Sequence, residues 1–117
     1  KIVNEYGEFI VKRYGKQNHI LWCLGGDRQP IHKGCDYKKV WKRIAEGLAK
    51  GVLGKELKYN VKDESWNDLL ITYHACHEQE TGECSTLSYW NGEEEAWIRF
   101  VMIQSGHSFK PKKIQVD

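Results

Sequence analysis

Short apolar runs, separated by segments with helical periodicity, most constrain how this chain can fold. Residues 19–24, 69–73 and 96–103 each have the length of a single strand. Between the first two runs, apolar residues recur every three or four positions, as on one face of a helix. Strand–helix–strand order is typical of parallel sheets with right-handed crossovers. The sequence therefore predicts an α/β fold whose three strands lie parallel and adjacent in sequence order.

Two helices are predicted within a chain whose 117 residues fit one domain. Asp36 can cap the second helix, and Gly15 is a natural C-cap for the first, predicted over residues 2–14. The apolar positions are Ile2, Val3, Tyr6, Phe9, Ile10 and Tyr14 in the first helix, and Val40, Trp41, Ile44, Ala45, Leu48 and Val52 in the second.

The first apolar run has no break residue and stops at Gly25 and Gly26, which is typical of a strand buried on both faces. The run at residues 69–73 has the same character. A buried strand makes Cys23 a buried thiol. The four cysteines form no CxxC pair, and their even number does not establish disulfides.

The charge distribution argues against a nucleic-acid partner, and the distribution of apolar residues argues against a membrane partner. The formal net charge is +2, with Lys and Arg spread along the chain, so we expect no nucleic-acid partner. No run of 18 apolar residues exists and the first eight residues lack a signal-peptide core, so we expect a soluble chain with no membrane partner. Nothing in the sequence assigns a compartment.

Polar clusters follow the end of each predicted strand. They are Asp27 and Arg28 after the first, His74 and His77 after the second, and Gln104, Ser105 and His107 after the third. The carboxyl ends of parallel strands lie on one side of a sheet, where loops build active sites. Three separate parts of the chain are therefore predicted to meet at one site.

The roles of these residues leave alternatives open. Asp27 is either a turn residue after two glycines or a carboxyl group held beside a pocket for general acid/base catalysis. Arg28 either binds a substrate hydroxyl, pairs with an acid or is solvated. His74 is interpreted as a hydrogen-bond donor to substrate or as a group that orients Asp27.

Metal and cofactor chemistry is not favoured. His74, Cys76, His77 and Cys84 carry zinc-binding side chains, but their spacing fits no standard finger or ribbon. Ser105 lacks the GxSxG surroundings of a hydrolase nucleophile, although a histidine follows two residues later. A GxGxxG fingerprint is also absent. We expect neither a metal nor a cofactor.

Four segments together resemble the apiosidase-like glycoside hydrolases, which are mostly bacterial enzymes. The segments are ILWCLGGDR at 20–28, AEGL at 45–48, ITYH at 71–74 and MIQSGH at 102–107, within a resemblance over about residues 5–109. Members of the family are (β/α)8 TIM barrels. The resemblance implies that residues 1–117 form the central part of a glycoside hydrolase barrel domain, around strands four to six. Its N- and C-terminal units, the missing barrel segments, would then be the partners of this part.

The resemblance also implies a site. Asp27 matches the general acid/base of the GGD motif, and no position matches the family's glutamate nucleophile after strand seven. Family precedent favours retaining hydrolysis of glycosides derived from plant or bacterial polysaccharides. The residues expected to bind this carbohydrate substrate are Arg28, His74, Trp90, Gln104, Ser105 and His107. Within the chain, the alternative second acids are Glu78, Glu80 and Glu83.

Two departures from the family pattern affect the expected substrate. The family commonly has a proline and small polar residues after the ITYH histidine, whereas this chain has ACHE at 75–78. The serine-rich loop is only partly kept, as STLSYW at 85–90. Both changes concern substrate identity more than reaction class.

A non-catalytic carbohydrate-binding or protein-interaction module is the alternative interpretation. Aromatic side chains supply stacking surfaces for sugar rings. The candidates for such a surface are Trp66, Tyr73, Trp90 and Trp97.

Overall fold

A computed structural model describes residues 2–14, 19–26, 28–77, 85–92 and 94–104. The elements, in chain order, are helix α1 (Ile2–Tyr14), strands β1 (Trp22–Gly25), β2 (Ile31–His32) and β3 (Cys35–Asp36), helix α2 (Lys38–Leu53), a 3₁₀ turn (Glu64–Asp68), strand β4 (Ile71–His74) and a second 3₁₀ turn (Thr86–Ser88). Helices pack beside a parallel strand pair, so the predicted α/β class is confirmed. No helix in these ranges is long and apolar enough to cross a membrane.

Strands β1 and β4 form the predicted parallel pair. Trp22 lies opposite Ile71, and the register continues to Gly25 opposite His74. The Trp22 amide also donates to the Leu70 carbonyl at 2.8 Å. Both strands therefore end at the same edge, as the positions of the polar clusters predicted.

The third apolar run lies beside β4 but does not form a regular strand. The Arg99 amide donates to the Ile71 carbonyl at 2.9 Å, and the Thr72 hydroxyl donates to the Phe100 carbonyl at 2.6 Å. Residue numbers rise together along both segments, so they run in the same direction. The segment runs in the predicted direction. The prediction of a regular strand over residues 98–104 is wrong.

Thr86 is the physical reason for that irregularity. Its hydroxyl donates to the Tyr73 carbonyl at 2.9 Å and accepts from the Met102 amide at 2.9 Å. A side chain therefore occupies the place of a direct backbone bond between the two segments. The residue before it, Ser85, forms an isolated antiparallel bridge with Ile103. Among the described residues, no antiparallel pairing joins β1, β4 and the third segment to one another.

Both predicted helices are confirmed. Helix α2 begins at Lys38, whose amide donates to the Asp36 carboxylate at 2.8 Å, so Asp36 stabilises the first turn from just outside the helix. The helix ends at Gly54, which has a φ of 67° and donates its amide to the Lys50 carbonyl at 3.0 Å. Gly15, the predicted C-cap of α1, lies outside the described residues.

Glycines let α1 and α2 approach each other closely. A Cβ atom added to Gly7 would lie 2.6 Å from the Ile44 carbonyl oxygen, and one added to Gly47 would overlap the Asn4 carbonyl oxygen. A Cβ at Gly51 would lie 2.7 Å from the Cβ of Val11. Only glycine fits where the two backbones are in contact, so this crossing fixes α1 against α2.

Replacing Gly47 by Ala is expected to destabilise the protein by about 3 kcal/mol, because the new methyl group forces the two backbones apart. This outweighs the gain in helix propensity of about 1 kcal/mol. Gly92→Ala is the matched control, since its Cβ would lie 3.9 Å from the nearest heavy atom. Urea denaturation measures both variants. Equal stability of the two would contradict the close crossing.

The prediction that both faces are buried is confirmed for β4 and is wrong for β1. Ile71, Thr72 and Tyr73 are buried, whereas exposure alternates along β1 and Cys23 is exposed. The exposed thiol lies 3.5 Å from the Met102 sulfur. On β4 the Thr72 side chain, which alternation directs away from Tyr73, contacts the Thr86 hydroxyl and the Phe100 carbonyl and is buried. Cys23, its neighbour on β1, is exposed.

The aromatic residues form the core beside β4. The Tyr73 ring lies 5.6 Å from Trp41 of α2 and 5.1 Å from Trp90, which in turn lies 5.0 Å from Trp97. Trp66, Trp90 and Trp97 are at most 1% exposed. The stacking surface proposed for a carbohydrate-binding module is therefore wrong, and so is Trp90 as a substrate-binding residue. Their rings are enclosed by protein and cannot reach a sugar.

The connection between β1 and α2 contains an element that the apolar pattern did not predict. Strands β2 and β3 pair antiparallel, with Ile31 opposite Asp36 and His32 opposite Cys35. Lys33 and Gly34 form the turn with φ values of 51° and 76°. Positive φ at both central residues is the geometry of tight two-residue hairpins. The predicted polar loop is in fact a short β-hairpin.

Candidate functional site

Three parts of the chain are joined by hydrogen bonds at the carboxyl end of β1 and β4. The Gln29 side-chain amide donates to the Cys76 carbonyl at 3.0 Å, so the segment after β1 contacts the segment after β4. The His77 amide donates to the Gln104 side-chain oxygen at 2.8 Å, which adds the end of the third segment. The predicted meeting of three segments at one edge is therefore present in the described residues.

Tyr73 holds the segment that follows β1 in place. Its hydroxyl donates to the Arg28 carbonyl at 3.2 Å, while its ring packs in the aromatic core. Burial, with a smaller effect of the nearby Cys76 thiol, raises the pKa of Tyr73 to about 12. The phenol therefore keeps its proton and remains a donor throughout the neutral range.

Buried polar atoms without a partner collect at this edge. Gln29 Oε1, His74 Nδ1 and His77 Nδ1 are enclosed by protein and have no hydrogen-bond partner among the described residues. Two tryptophan indole nitrogens in the core, those of Trp66 and Trp90, share this property. An unpaired buried polar atom costs about 1–3 kcal/mol, so a cluster of three needs an explanation. Their position at the strand ends, where parallel α/β folds build active sites, is consistent with a functional role for this edge.

The structure places the predicted site residues as follows. Arg28 is exposed just after β1, His74 is the half-buried last residue of β4, and Gln104 is half-buried beside His77. Asp27, Ser105 and His107 lie outside the described residues, as do the alternative acids Glu78, Glu80 and Glu83. The structure thus brings together Arg28, His74 and Gln104 at one edge.

The zinc-type side chains near this edge do not form a ligand set in the described chain. His74, Cys76 and His77 follow one another closely, but no three His, Cys, Asp or Glu side chains there gather around one point. The Cys76 thiol instead donates to the His77 carbonyl at 3.6 Å. Cys84, the fourth candidate ligand, lies outside the described residues.

A groove of about 460 Å³ lies at the opposite end of β4. It is bounded by the turn that precedes the strand, through Glu64 and Asn67, and by Arg99, whose amide bonds to the first residue of β4. Three of its charged groups have partners: Glu95 bonds to Lys42 at 2.7 Å, Asp63 to Lys55 at 3.4 Å, and Arg99 to Asn67. In parallel α/β folds the amino ends of the strands serve stability, and the carboxyl ends carry chemistry.

A family model matches the whole chain and decides its relationship. The match extends over residues 1–117, and the family is described as apiosidase-like, catalytic domain. The chain belongs to this apiosidase-like family. No curated protein matches the chain significantly. The family resemblance predicted from the GGDR, AEGL, ITYH and QSGH segments is thereby confirmed, and membership suggests a glycoside hydrolase-like function for this apiosidase-like chain.

Two residues of this apiosidase-like site were missed in the sequence. Gln29 ties the segment after β1 to the segment after β4, and Tyr73 holds Arg28 through its hydroxyl. His77 was predicted at this edge and contributes its backbone amide to the contact with Gln104. Tyr73 belongs to an apolar run and was interpreted as a stacking residue. The position of Gln29 directly after GGDR placed it near the predicted site. A lone glutamine in a loop does not indicate which group it contacts.

Proposed function

We propose that this chain forms the acid/base side of a retaining glycosidase that hydrolyses apiosides, the substrate class in the family's name. The observation that carries the proposal is the convergence of residues 28–29, 74–77 and 104 at the carboxyl end of a parallel strand pair. Such edges build active sites in parallel α/β proteins. Arg28 is exposed at this edge, and His74 and Gln104 are half-buried, so their polar side chains border the space available to a sugar.

Asp27 is the proton donor to the leaving glycosidic oxygen in this proposal. It lies between Gly26 and Arg28, the ends of the described segments that border the site. Tyr73 holds the carbonyl of Arg28, the residue that follows Asp27 in the sequence. A retaining enzyme needs a second carboxylate about 5–5.5 Å from the first. The family resemblance assigns it to a glutamate after strand seven, which no residue of this chain matches.

The remaining residues bind and orient the sugar. His74 is the half-buried last residue of β4, and Arg28 is exposed on the same side. Gln104, Ser105 and His107 complete the polar lining from the third segment. No metal or cofactor takes part in this chemistry.

The exposed sheet face supports a barrel architecture for the complete enzyme. Leu21 is 59% exposed and lies on the same face of the sheet as the exposed Cys23 of β1. In a (β/α)8 barrel this face is covered by side chains from the other strands, which fill the barrel interior in layers. We therefore propose that β1, β4 and the 99–104 segment correspond to strands four to six of such a barrel.

Hydrolysis of synthetic glycosides tests the proposed function. The protein from the complete reading frame should release 4-nitrophenol from 4-nitrophenyl β-D-apiofuranoside, with the 4-nitrophenyl β-D-xylopyranoside as a control of sugar identity. The 117-residue chain alone should release none, because it lacks the second carboxylate. Failure of the complete protein on all glycosides would refute the proposal. If the 117-residue chain turns the substrate over as fast as the complete protein, the nucleophile would have to be Glu78, Glu80 or Glu83.

A further inference from the structure

The β2–β3 hairpin lies between the carboxyl end of β1 and the start of α2, at the edge that carries the candidate site. All six residues from Ile31 to Asp36 are exposed. The hairpin therefore projects from the protein at the same end as the polar residues. Loops in this position form the walls of ligand clefts in parallel α/β folds.

The base of the hairpin is fixed to the body of the protein. The Tyr37 amide donates to the Pro30 carbonyl at 2.8 Å and closes the hairpin below β2 and β3. Pro30 is buried, and the preceding residue, Gln29, bonds to the Cys76 carbonyl after β4. The hairpin is thus held in a defined place beside the strand ends.

The two faces of the hairpin have different surroundings. Directly opposed residues in an antiparallel pair share a face, so Ile31 lies with Asp36 and His32 lies with Cys35. The Asp36 carboxylate turns back to the Lys38 amide, so its face is directed to the start of α2. His32 and Cys35 lie on the other face, away from that helix end.

The His32–Cys35 face continues into the body of the protein. Alternation places Pro30 and Tyr37 on this same face, and Pro30 is buried. The Cys35 thiol, two residues away on the same face, raises the pKa of the Tyr37 phenol. The face that covers protein at its base therefore continues to His32, whose side chain is exposed.

We propose that the His32–Cys35 face of this hairpin forms a wall of the glycoside cleft, with His32 as a hydrogen-bonding contact to a sugar hydroxyl. The inference rests on the proposed function and adds a specificity-determining residue to it. A neutral imidazole can both donate and accept, which suits a hydroxyl group. His32 binds substrate and takes no part in bond breaking.

Steady-state kinetics of the complete protein with 4-nitrophenyl β-D-apiofuranoside provide the first test. His32→Ala should raise KM about tenfold, the value of one hydrogen bond of about 1.4 kcal/mol, and leave kcat within about twofold. Ile31→Ala, on the opposite face of the hairpin, should change neither constant. An unchanged KM in an active His32→Ala enzyme would overturn the assignment of the His32–Cys35 face to the cleft and leave the proposed function standing. Absence of turnover in the parent protein refutes both.

Thiol labelling provides a second test on the same face. At ten times KM the glycoside occupies about 90% of the sites, so alkylation of Cys35 by iodoacetamide should slow about tenfold. The matched control carries Ile31→Cys in a Cys35→Ser chain, which places the thiol on the opposite face, and its labelling rate should not change. Mass spectrometry reads both rates. Unprotected Cys35, or equal protection at both positions, would overturn the assignment of this face to the cleft.

Discussion

Replacing Asp27 by Asn in the complete protein is expected to lower kcat on an apioside with a sugar aglycone by about 10² to 10⁴, the usual contribution of a general acid/base. The amide keeps the shape of the side chain and cannot deliver a proton to the leaving oxygen. In the proposed site, burial and the charge of an ionised nucleophile would favour the protonated carboxyl group. Steady-state rates at saturating substrate measure the loss.

Asp36→Asn is the matched control for this substitution. Asp36 lies in the same connection between β1 and α2, and its carboxylate accepts from the Lys38 amide. Asparagine caps helices about as well as aspartate, so kcat should stay within about threefold of the parent. If Asp27→Asn behaves like this control, Asp27 is a turn residue and the general acid lies elsewhere.

Thr86→Val is expected to lower the free energy of unfolding by about 3 kcal/mol, because two backbone groups lose their partner. The buried hydroxyl joins the Tyr73 carbonyl to the Met102 amide and also lies 3.3 Å from the Thr72 hydroxyl. Valine fills the same space without a polar atom. The effect should appear in urea denaturation as a lower midpoint with little change in slope.

Thr86→Ser distinguishes the contribution of the hydroxyl to stability from that of the methyl group. Serine keeps the bridge between β4 and the 99–104 segment, so most of the stability should remain, with a loss of about 1 kcal/mol for the methyl group. Equal losses for Val and Ser would show that packing, and not the hydrogen-bonded bridge, holds the third segment beside β4.

Helices and strand direction could be predicted from the sequence because both follow from local pattern. The apolar residues of α1 and α2 keep the helical period, and the Asp36 signal agrees with the observed start of α2. The end of β1 at Gly25 and of β4 at His74 followed from where the apolar runs stop. The family resemblance rested on the same segments.

Burial could not be predicted in the same way because it depends on what covers each face. Residues 19–24 and 69–73 have equally apolar sequences, yet only β4 is covered on both sides. Trp90 likewise carries no local sign that the Tyr73 and Trp97 rings enclose it. An aromatic residue in a polar loop is consistent with both a sugar platform and a core residue, and only the long-range contacts decide.

The bridge through Thr86 and the hairpin illustrate two further limits. Thr86 lies 13 residues from Tyr73 and 16 from Met102 in sequence, so no local pattern links it to either. The hairpin was readable in principle, since Lys33 and Gly34 suit a tight turn. Its strands have only two residues each, which is too short for an alternating pattern to be recognised.

The dependence of Asp27→Asn turnover on the leaving group tests the central claim most directly. With a 4-nitrophenyl leaving group, which departs without a proton, the variant should cleave the first bond at close to the parent rate. With a sugar aglycone it should lose the full factor of about 10² to 10⁴. Azide should then restore turnover of the activated substrate and yield a glycosyl azide. Equal losses on both substrates, with no azide product, would contradict a general acid/base at Asp27.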